Sequence, residues 1–353
     1  MSQRIAIATL LLCLALLSPA RAAYDPLGGG TTKLSLDKRF ASFLAKNELK
    51  LIASQGARRK ARTIALPVSG GRIDPTTGKG EVEHQGTLTF EAKRKRVPLR
   101  AITVKTKHQP LLAKVGGSQL KVARAKRISS QRSGFGAQFA ATQLTLTAKA
   151  ATRLNKKLRP KTPFEPNQPL GKLISSPQPR LVTIEDVGRA TIAFDPAFLA
   201  KLESRFVSLN PIFPAEHVGA SFSFPIAAGG AISPQGTEGT LRTGGALEFL
   251  QLHAGQVFFS ELWLDLGARS DSAELDLEPT PAFPGKLGRV GVLDYVPTSL
   301  SSEPKARTIS VTGTLTLSAQ AAQSFNEAFA QGQGPVFAAG EAVGALSFVG
   351  VGE

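Results

Sequence analysis

The sequence predicts a mainly β protein: two tandem antiparallel β-sandwich-like domains, each with two short helices. Three observations carry that expectation. Sequence blocks recur in the same order at a nearly constant offset. Strand-length segments alternate apolar and polar residues between turn signals. Each copy also opens and nears its end with a capped stretch of helical spacing.

The duplication is read directly from the residues. Residues 37–51 (DKRFASFLAKNELKL) match residues 195–209 (DPAFLAKLESRFVSL), and residues 64–68 match 222–226. Residues 70–90 (GGRIDPTTGKGEVEHQGTLTF) match 229–249 (GGAISPQGTEGTLRTGGALEF) after a one-residue insertion. Residues 144–158 (LTLTAKAATRLNKKL) match 315–329 (LTLSAQAAQSFNEAF). The division that follows is a signal peptide over 1–22 and a short leader over 23–31. Domain 1 then covers 32–174, a proline-bearing linker 175–180, and domain 2 181–353.

Within each copy, Asp37 or Asp195 caps the opening helix, and Pro196 occupies the first helical position, where its missing N–H costs nothing. Phe40 and Leu44, like Phe198 and Leu202, then share one helix face. A strand over 63–68 or 221–226 follows. Next comes a turn, Asp74-Pro75-Thr76-Thr77-Gly78 or Ser233-Pro234-Gln235-Gly236, with proline early and glycine late. Residues 81–90 read as one alternating strand, with Val82, His84, Gly86, Leu88 and Phe90 inward. Thr147 or Ser318 caps the late helix, whose inward residues are Ala151, Leu154 and Leu158, or Ala322, Phe325 and Phe329. A last strand lies near 170–174 or 343–348.

Arg4, the apolar stretch 5–17 and Ala20-Arg21-Ala22 form an export signal. The expected location is therefore secreted or cell-wall associated, with no transmembrane segment. Cys13 is the single cysteine and lies in that signal, so the exported chain folds without disulfides. The net charge of +17 is unevenly spread. Residues 23–178 carry 31 Lys and Arg against 8 Asp and Glu, a net of +23, while residues 179–353 carry 10 against 18, a net of −8. A polycationic first copy attracts anionic polymers in a salt-dependent way. Its candidate patch comprises Arg58, Arg59, Lys60, Lys93, Arg94, Lys95 and Arg96, and the partner class is an anionic cell-wall polymer. Specific nucleic-acid binding is not expected, because copy one lacks the aromatic residues for base stacking. The signatures G-x-S-x-G, H-E-x-x-H and the phosphate loop are missing, as is a cysteine nucleophile, so no enzyme and no metal site is expected.

The ordered set of a D-P-x-T-G turn, an alternating strand with a central glycine, T-L-T-x-x-A-A-x-x-L-N and a final L-G strand resembles the haem-transport-associated (HtaA) domain family. Its members are secreted or wall-attached actinobacterial proteins. The resemblance implies a mainly β fold and haem as ligand. It also implies a tyrosine near the domain start as iron ligand, with a histidine further on supporting it. This sequence has Phe40, Phe43 and Phe198 in the matching opening helices, and its tyrosines are Tyr24 and Tyr295. His253-Ala254-Gly255 resembles the family's F-x-G-H-x-G stretch, one residue later. The candidate haem or flat-ligand residues are therefore His253, Tyr295 and Trp263, all in copy two. Haem is the one cofactor implied. The functional expectation is a secreted, non-catalytic binding protein of the cell envelope for haem or another flat hydrophobic ligand. The alternative is a structural or adhesive wall component held by its basic first domain.

Overall fold

The computed structural model describes residues 24–106, 110–252, 255–268, 270–277, 286–330, 332 and 334–353. The first half contains β1 (Asp25–Leu36), α1 (Lys38–Lys46), β2 (Leu49–Ser54), β3 (Arg58–Lys60), β4 (Thr63–Ile73) and β5 (Gly80–His84). It continues with β6 (Thr87–Ala92), β7 (Lys95–Lys105), β8 (Pro110–Val115), β9 (Ser118–Ser133), β10 (Gly136–Leu146), α2 (Ala148–Leu158) and β11 (Pro169–Pro179). The second half repeats the order: β12 (Val182–Phe194), α3 (Pro196–Ser204), β13 (Val207–Ile212), β14 (Glu216–Val218), β15 (Ser221–Ile232) and β16 (Gly239–Thr243). Then follow β17 (Ala246–Gln251), β18 (Gly255–Asp265), β19 (Ser270–Leu277), β20 (Lys286–Glu303), β21 (Thr308–Leu317), α4 (Ala319–Phe329) and β22 (Ala342–Gly352).

The fold is mainly antiparallel β, as the alternation predicts. Each half forms one sheet that closes on itself. In the first, the order is β2-β6-β7-β5-β4-β1-β11-β10-β9-β8, and β8 pairs back onto β7. In the second, β13-β17-β18-β16-β15-β12-β22-β21-β20-β19 closes through β18 and β19. The inward residues of each ring form one core, so the packing resembles a small barrel filled by side chains.

The caps fall where the sequence places them. Asp37 accepts from the Arg39 N–H at 2.7 Å and Asp195 from the Ala197 N–H at 2.8 Å. Thr147 accepts from Ala150 N–H at 3.2 Å and Ser318 from Ala321 N–H at 3.0 Å. Three segments differ from the sequence expectation. Residues 81–90 are two strands, β5 and β6, broken at Gly86, whose φ of +116° no side-chain-bearing residue adopts easily. A Cβ there would lie 2.6 Å from the Ala57 Cβ. Gly245 repeats the device against Ala215. The break lets β6 and β17 leave the ring and carry β2 and β13 as an outer flap. Most of the expected leader lies inside β1, and most of the expected linker lies inside β11. Pro177 and Pro179 are tolerated because the β10 register stops at Ser175, leaving β1 as the one pairing partner.

The two barrels dock. Phe135, in the β9–β10 hairpin, is buried within the second core. Asp25 accepts from the Thr183 N–H at 3.2 Å and from its hydroxyl at 3.1 Å. Arg132 donates to the Glu353 carbonyl, and the Arg180 N–H donates to the Pro26 carbonyl at 2.6 Å. Asp25 Oδ2 is buried with no partner among the described residues. Burial pushes the Asp25 carboxyl up to about 6, against the pull of the Thr183 hydrogen bonds. The folded state thus holds this proton longer than the unfolded chain. Its contribution to the junction is present at low pH and lost as pH rises through about 6. Asp25→Asn should accordingly raise the melting temperature relative to wild type at pH 8 and leave it unchanged at pH 4.

A second buried polar group titrates with the opposite sign. His84 is buried inside the first ring. Its Nδ1–H donates to the Ile102 carbonyl at 3.1 Å, and the Thr32 hydroxyl donates to Nε2 at 2.6 Å. The Ser175 hydroxyl completes the chain to Thr32 at 2.6 Å. In this arrangement the neutral ring meets every partner, and desolvation lowers the His84 pKa to about 4. The contribution is full above the unfolded value of about 6.5 and is lost as pH falls toward 4. Denaturant unfolding should show wild type losing about 2–3 kcal/mol more than His84→Thr between pH 7 and 4.5. An equal loss in both proteins would remove His84 as the cause.

Candidate ligand-binding tips

The interior of the first barrel offers no room for a flat ligand. Leu34, Phe40, Leu88, Phe90 and Leu144 leave a cavity of about 50 Å³ there. In the second barrel, Phe249, Phe259, Phe325 and Phe329 are fully buried against one another. The candidate binding surfaces are therefore on the outside, and the two barrels differ in charge at the end away from their junction.

That end is built the same way in both copies. Asn155 on α2 donates from Nδ2 to the Phe164 carbonyl at 2.9 Å and accepts from the Phe164 N–H at 2.7 Å. Asn326 on α4 does the same with Phe337, at 2.8 Å both ways. Each amide thereby clamps the following loop over the end of its barrel. The L-N and F-N letters of the late-helix block were the available signal for this clamp. The second residue after α1 and the second after α3 sit in left-handed geometry, Glu48 at φ 57° and Phe206 at φ 58°. The shared conformation marks it as scaffold, so what varies is the side chain it presents.

In the second barrel the presented side chains are apolar. The β13–β17 register ends at Val207 paired with Gln251, and Phe206 and Leu252 are the residues that flank this last pair. Phe206 is 85% exposed and Leu252 72%. His253 directly follows Leu252 and lies outside the described residues. In the first barrel the same place is cationic. Lys93, Arg94, Lys95, Arg159 and Lys161 surround a depression of about 450 Å³. Its acid, Glu48, is held by Lys161 at 2.5 Å.

The structure does not gather the other sequence candidates at this tip. Tyr295 is 1% exposed, its ring lies against Gly313, and its hydroxyl donates to the Thr312 carbonyl at 3.3 Å. It is a core residue of β20, inward by the alternation of that strand. Trp263 faces outward on β18, with the Arg289 guanidinium 4.9 Å from its ring centre and Arg242 at 5.8 Å. Glu261 pairs with both arginines, at 3.5 and 3.4 Å. Eight residues separate Trp263 from Gly255, about 26 Å along an extended strand. Of the tyrosines, Tyr24 lies under the Arg72 guanidinium at 5.7 Å. Nor do the expected cations form one patch. Lys93, Arg94 and Lys95 belong to the tip, Arg96 is paired with Glu91 at 2.5 Å, and Arg58 and Lys60 lie on the outer face of β3. Arg59, exposed like its neighbours, donates to the Leu51 and Ala61 carbonyls. Among the described residues, no three His, Cys, Asp or Glu side chains gather as metal ligands, and no helix is long and apolar enough to cross a membrane.

Fold and tips together define a duplicated, closed antiparallel barrel whose end carries interchangeable surface chemistry. No family model matches the sequence, and no curated protein matches it. The structure is similar to the C-terminal domain of HtaA from Corynebacterium glutamicum, at 13% identity and a TM-score of 0.39 over 48% of this chain and 98% of that one. It is similar to the N-terminal domain of the same protein at 18% identity and a TM-score of 0.37, again over 48% and 98%. The heme binding protein HtaB from C. glutamicum aligns at 12% identity and a TM-score of 0.34, over 49% of this chain and 95% of that one. These are domains of the kind that the sequence blocks resemble.

The position of Tyr295 has a testable consequence. Tyr295→Phe loses one hydrogen bond to a backbone carbonyl and should cost about 1 kcal/mol in urea unfolding. Tyr295→Ala empties the core and should cost about 3–5 kcal/mol. A Tyr295→Phe variant that kept full stability but lost ligand binding would contradict a core role.

Proposed function

We propose that the chain is an exported, non-catalytic binding protein whose second barrel holds a flat hydrophobic ligand at its tip, with haem as the ligand. The observation that supports this most is the exposure of Phe206 and Leu252 at the open end of the β13–β17 pair, with His253 following Leu252 in the sequence. An exposed phenylalanine and leucine gain by covering an apolar plate, each side chain contributing roughly 1.5–3 kcal/mol when buried. The His253 imidazole would supply the chemistry that ferric haem needs from a protein: a neutral nitrogen donor. The tyrosines do not supply it in this reading, since Tyr295 is spent in the core and Tyr24 lies just before the first barrel's opening strand, beside Arg72.

The choice of haem over other flat ligands comes from the sequence resemblance, and the choice of copy two over copy one comes from the tips. Placing a neutral porphyrin face against Lys93, Arg94 and Lys95 would desolvate charges without pairing them. Titrating haemin into the full chain should give a Soret band that saturates at one equivalent. His253→Ala should shift or abolish the band. Phe206→Ser with Leu252→Ser should weaken affinity at least tenfold without changing the melting temperature. A flat titration, or a band indifferent to all three substitutions, would sink the reading.

A further inference from the structure

We infer that the outer sheet face of the first barrel, spanning β3, β4, β1, β11, β10 and β9, binds a linear phosphodiester polymer. The argument starts from strand register. Lys60 pairs with Thr63, Thr63 with Ser35, and Ser35 with Lys172. Lys172 faces the bulge at Thr142 and Gln143, and Gln143 pairs with Lys126. One row therefore runs Lys60, Thr63, Ser35, Lys172, Gln143, Lys126 across six strands. The next row begins Arg58, Ala65, Lys33, Ile174. At about 4.8 Å per strand, Lys60 and Lys172 stand about 14 Å apart, Lys172 and Lys126 about 10 Å, and Arg58 and Lys33 about 10 Å.

Ser35, Thr63, Thr142 and Gln143 put neutral hydrogen-bonding groups between these cations. With Lys38, Arg62 and Lys172 they line a groove of about 600 Å³. The acid in that groove, Asp37, is engaged as the cap of α1. Among the described residues, Arg58, Lys60, Arg62, Lys33, Lys126 and Lys172 make no ion pair with any carboxylate. Separated cations with hydroxyl and amide groups between them suit a chain whose phosphates are separated by hydroxyl-bearing units. The rows hold no aromatic residue on which a base would stack.

The second barrel is the built-in comparison. Its register puts Glu216 where Arg58 stands, Val218 for Lys60, Thr191 for Lys33, Ala345 for Lys172 and Val296 for Lys126. Glu216 is itself paired with Arg189 at 2.5 Å. The same backbone thus carries the cations in one copy and neutral or acidic residues in the other, so the fold does not require them. This surface is separate from the tip assigned to haem and stands whether or not haem binds.

The test is binding of the full chain to poly(glycerol phosphate) of defined length, read across a salt series. Wild type should bind, with log affinity falling steeply against log salt, by about 0.7 per engaged phosphate. Lys33→Glu with Lys172→Glu should lower affinity at least tenfold and flatten that slope. Lys93→Glu with Lys95→Glu makes the same charge change at the tip and should lower it less than threefold. Equal losses from both pairs would reduce the effect to net charge and overturn the proposal. So would tighter binding to polyglutamate, which would make the partner a carboxylate polymer, or to single-stranded DNA, which would make it a nucleic acid. Haemin titration of the same variants separates a failure here from a failure at the second tip.

Discussion

A sheet with one apolar face leaves two unpaired edges, and each half of this chain closes its ring by pairing one edge strand back onto its own wall, with β2 and β13 left as outer edges. The β7–β8 and β18–β19 contacts close the rings. Closure consumes backbone donors and acceptors that would otherwise template another chain. It also commits every inward residue to one core, since a register slip of a single residue would turn each strand inside out. The outward residues are then released from any packing duty. Everything that distinguishes the two copies is written on them.

Closure also leaves ends and faces as the surfaces on which binding is proposed. The interiors are filled, by aliphatic residues in the first ring and by a chain of phenylalanines in the second. Among the described residues, neither core leaves a cavity the size of a porphyrin. The glycine breaks at Gly86 and Gly245 answer this by letting two strands peel away from each ring. The peeled flap gives the barrel a rim where exposed side chains meet: Glu48 and Lys93 in one copy, Phe206 and Leu252 in the other. A rim that is not part of the core tolerates exchange of charge for hydrophobicity at little cost in stability.

Much of this was legible in the residues. The caps at Asp37, Thr147, Asp195 and Ser318, the turn glycines and the order of elements follow from local chemistry, which a sequence displays openly. Closure was not legible, because β7 with β8 and β18 with β19 are long-range choices that leave no local mark. The alternating run at 81–90 concealed its break, since Gly86 sits on the expected inward phase and the alternation resumes after it. Gly28-Gly29-Gly30 and Pro177 read as leader and linker, yet one-sided pairing accommodates both. Tyr295 drew attention by its rarity, whereas its neighbour across the strands, Gly313, was the better guide: a missing side chain there makes room for the ring. Phe206 was masked by an opening-helix match in which its partner is an ordinary glutamate.

The junction adds a constraint that neither copy carries alone. Phe135 is contributed by the first barrel and buried in the second, so the second core is complete only with its neighbour in place. Asp25 and Thr183 bind the first strand of one ring to the first strand of the next. β1 then runs twelve residues, about 40 Å, from this contact to α1. The tips therefore stand at the ends remote from the contact, and neither is occluded by the partner barrel. Two rings fixed together at one end, one presenting cations and one presenting an apolar rim, suit the two partners proposed above, which differ in chemistry. Identical copies joined in the same way would have doubled one surface; divergent copies join two.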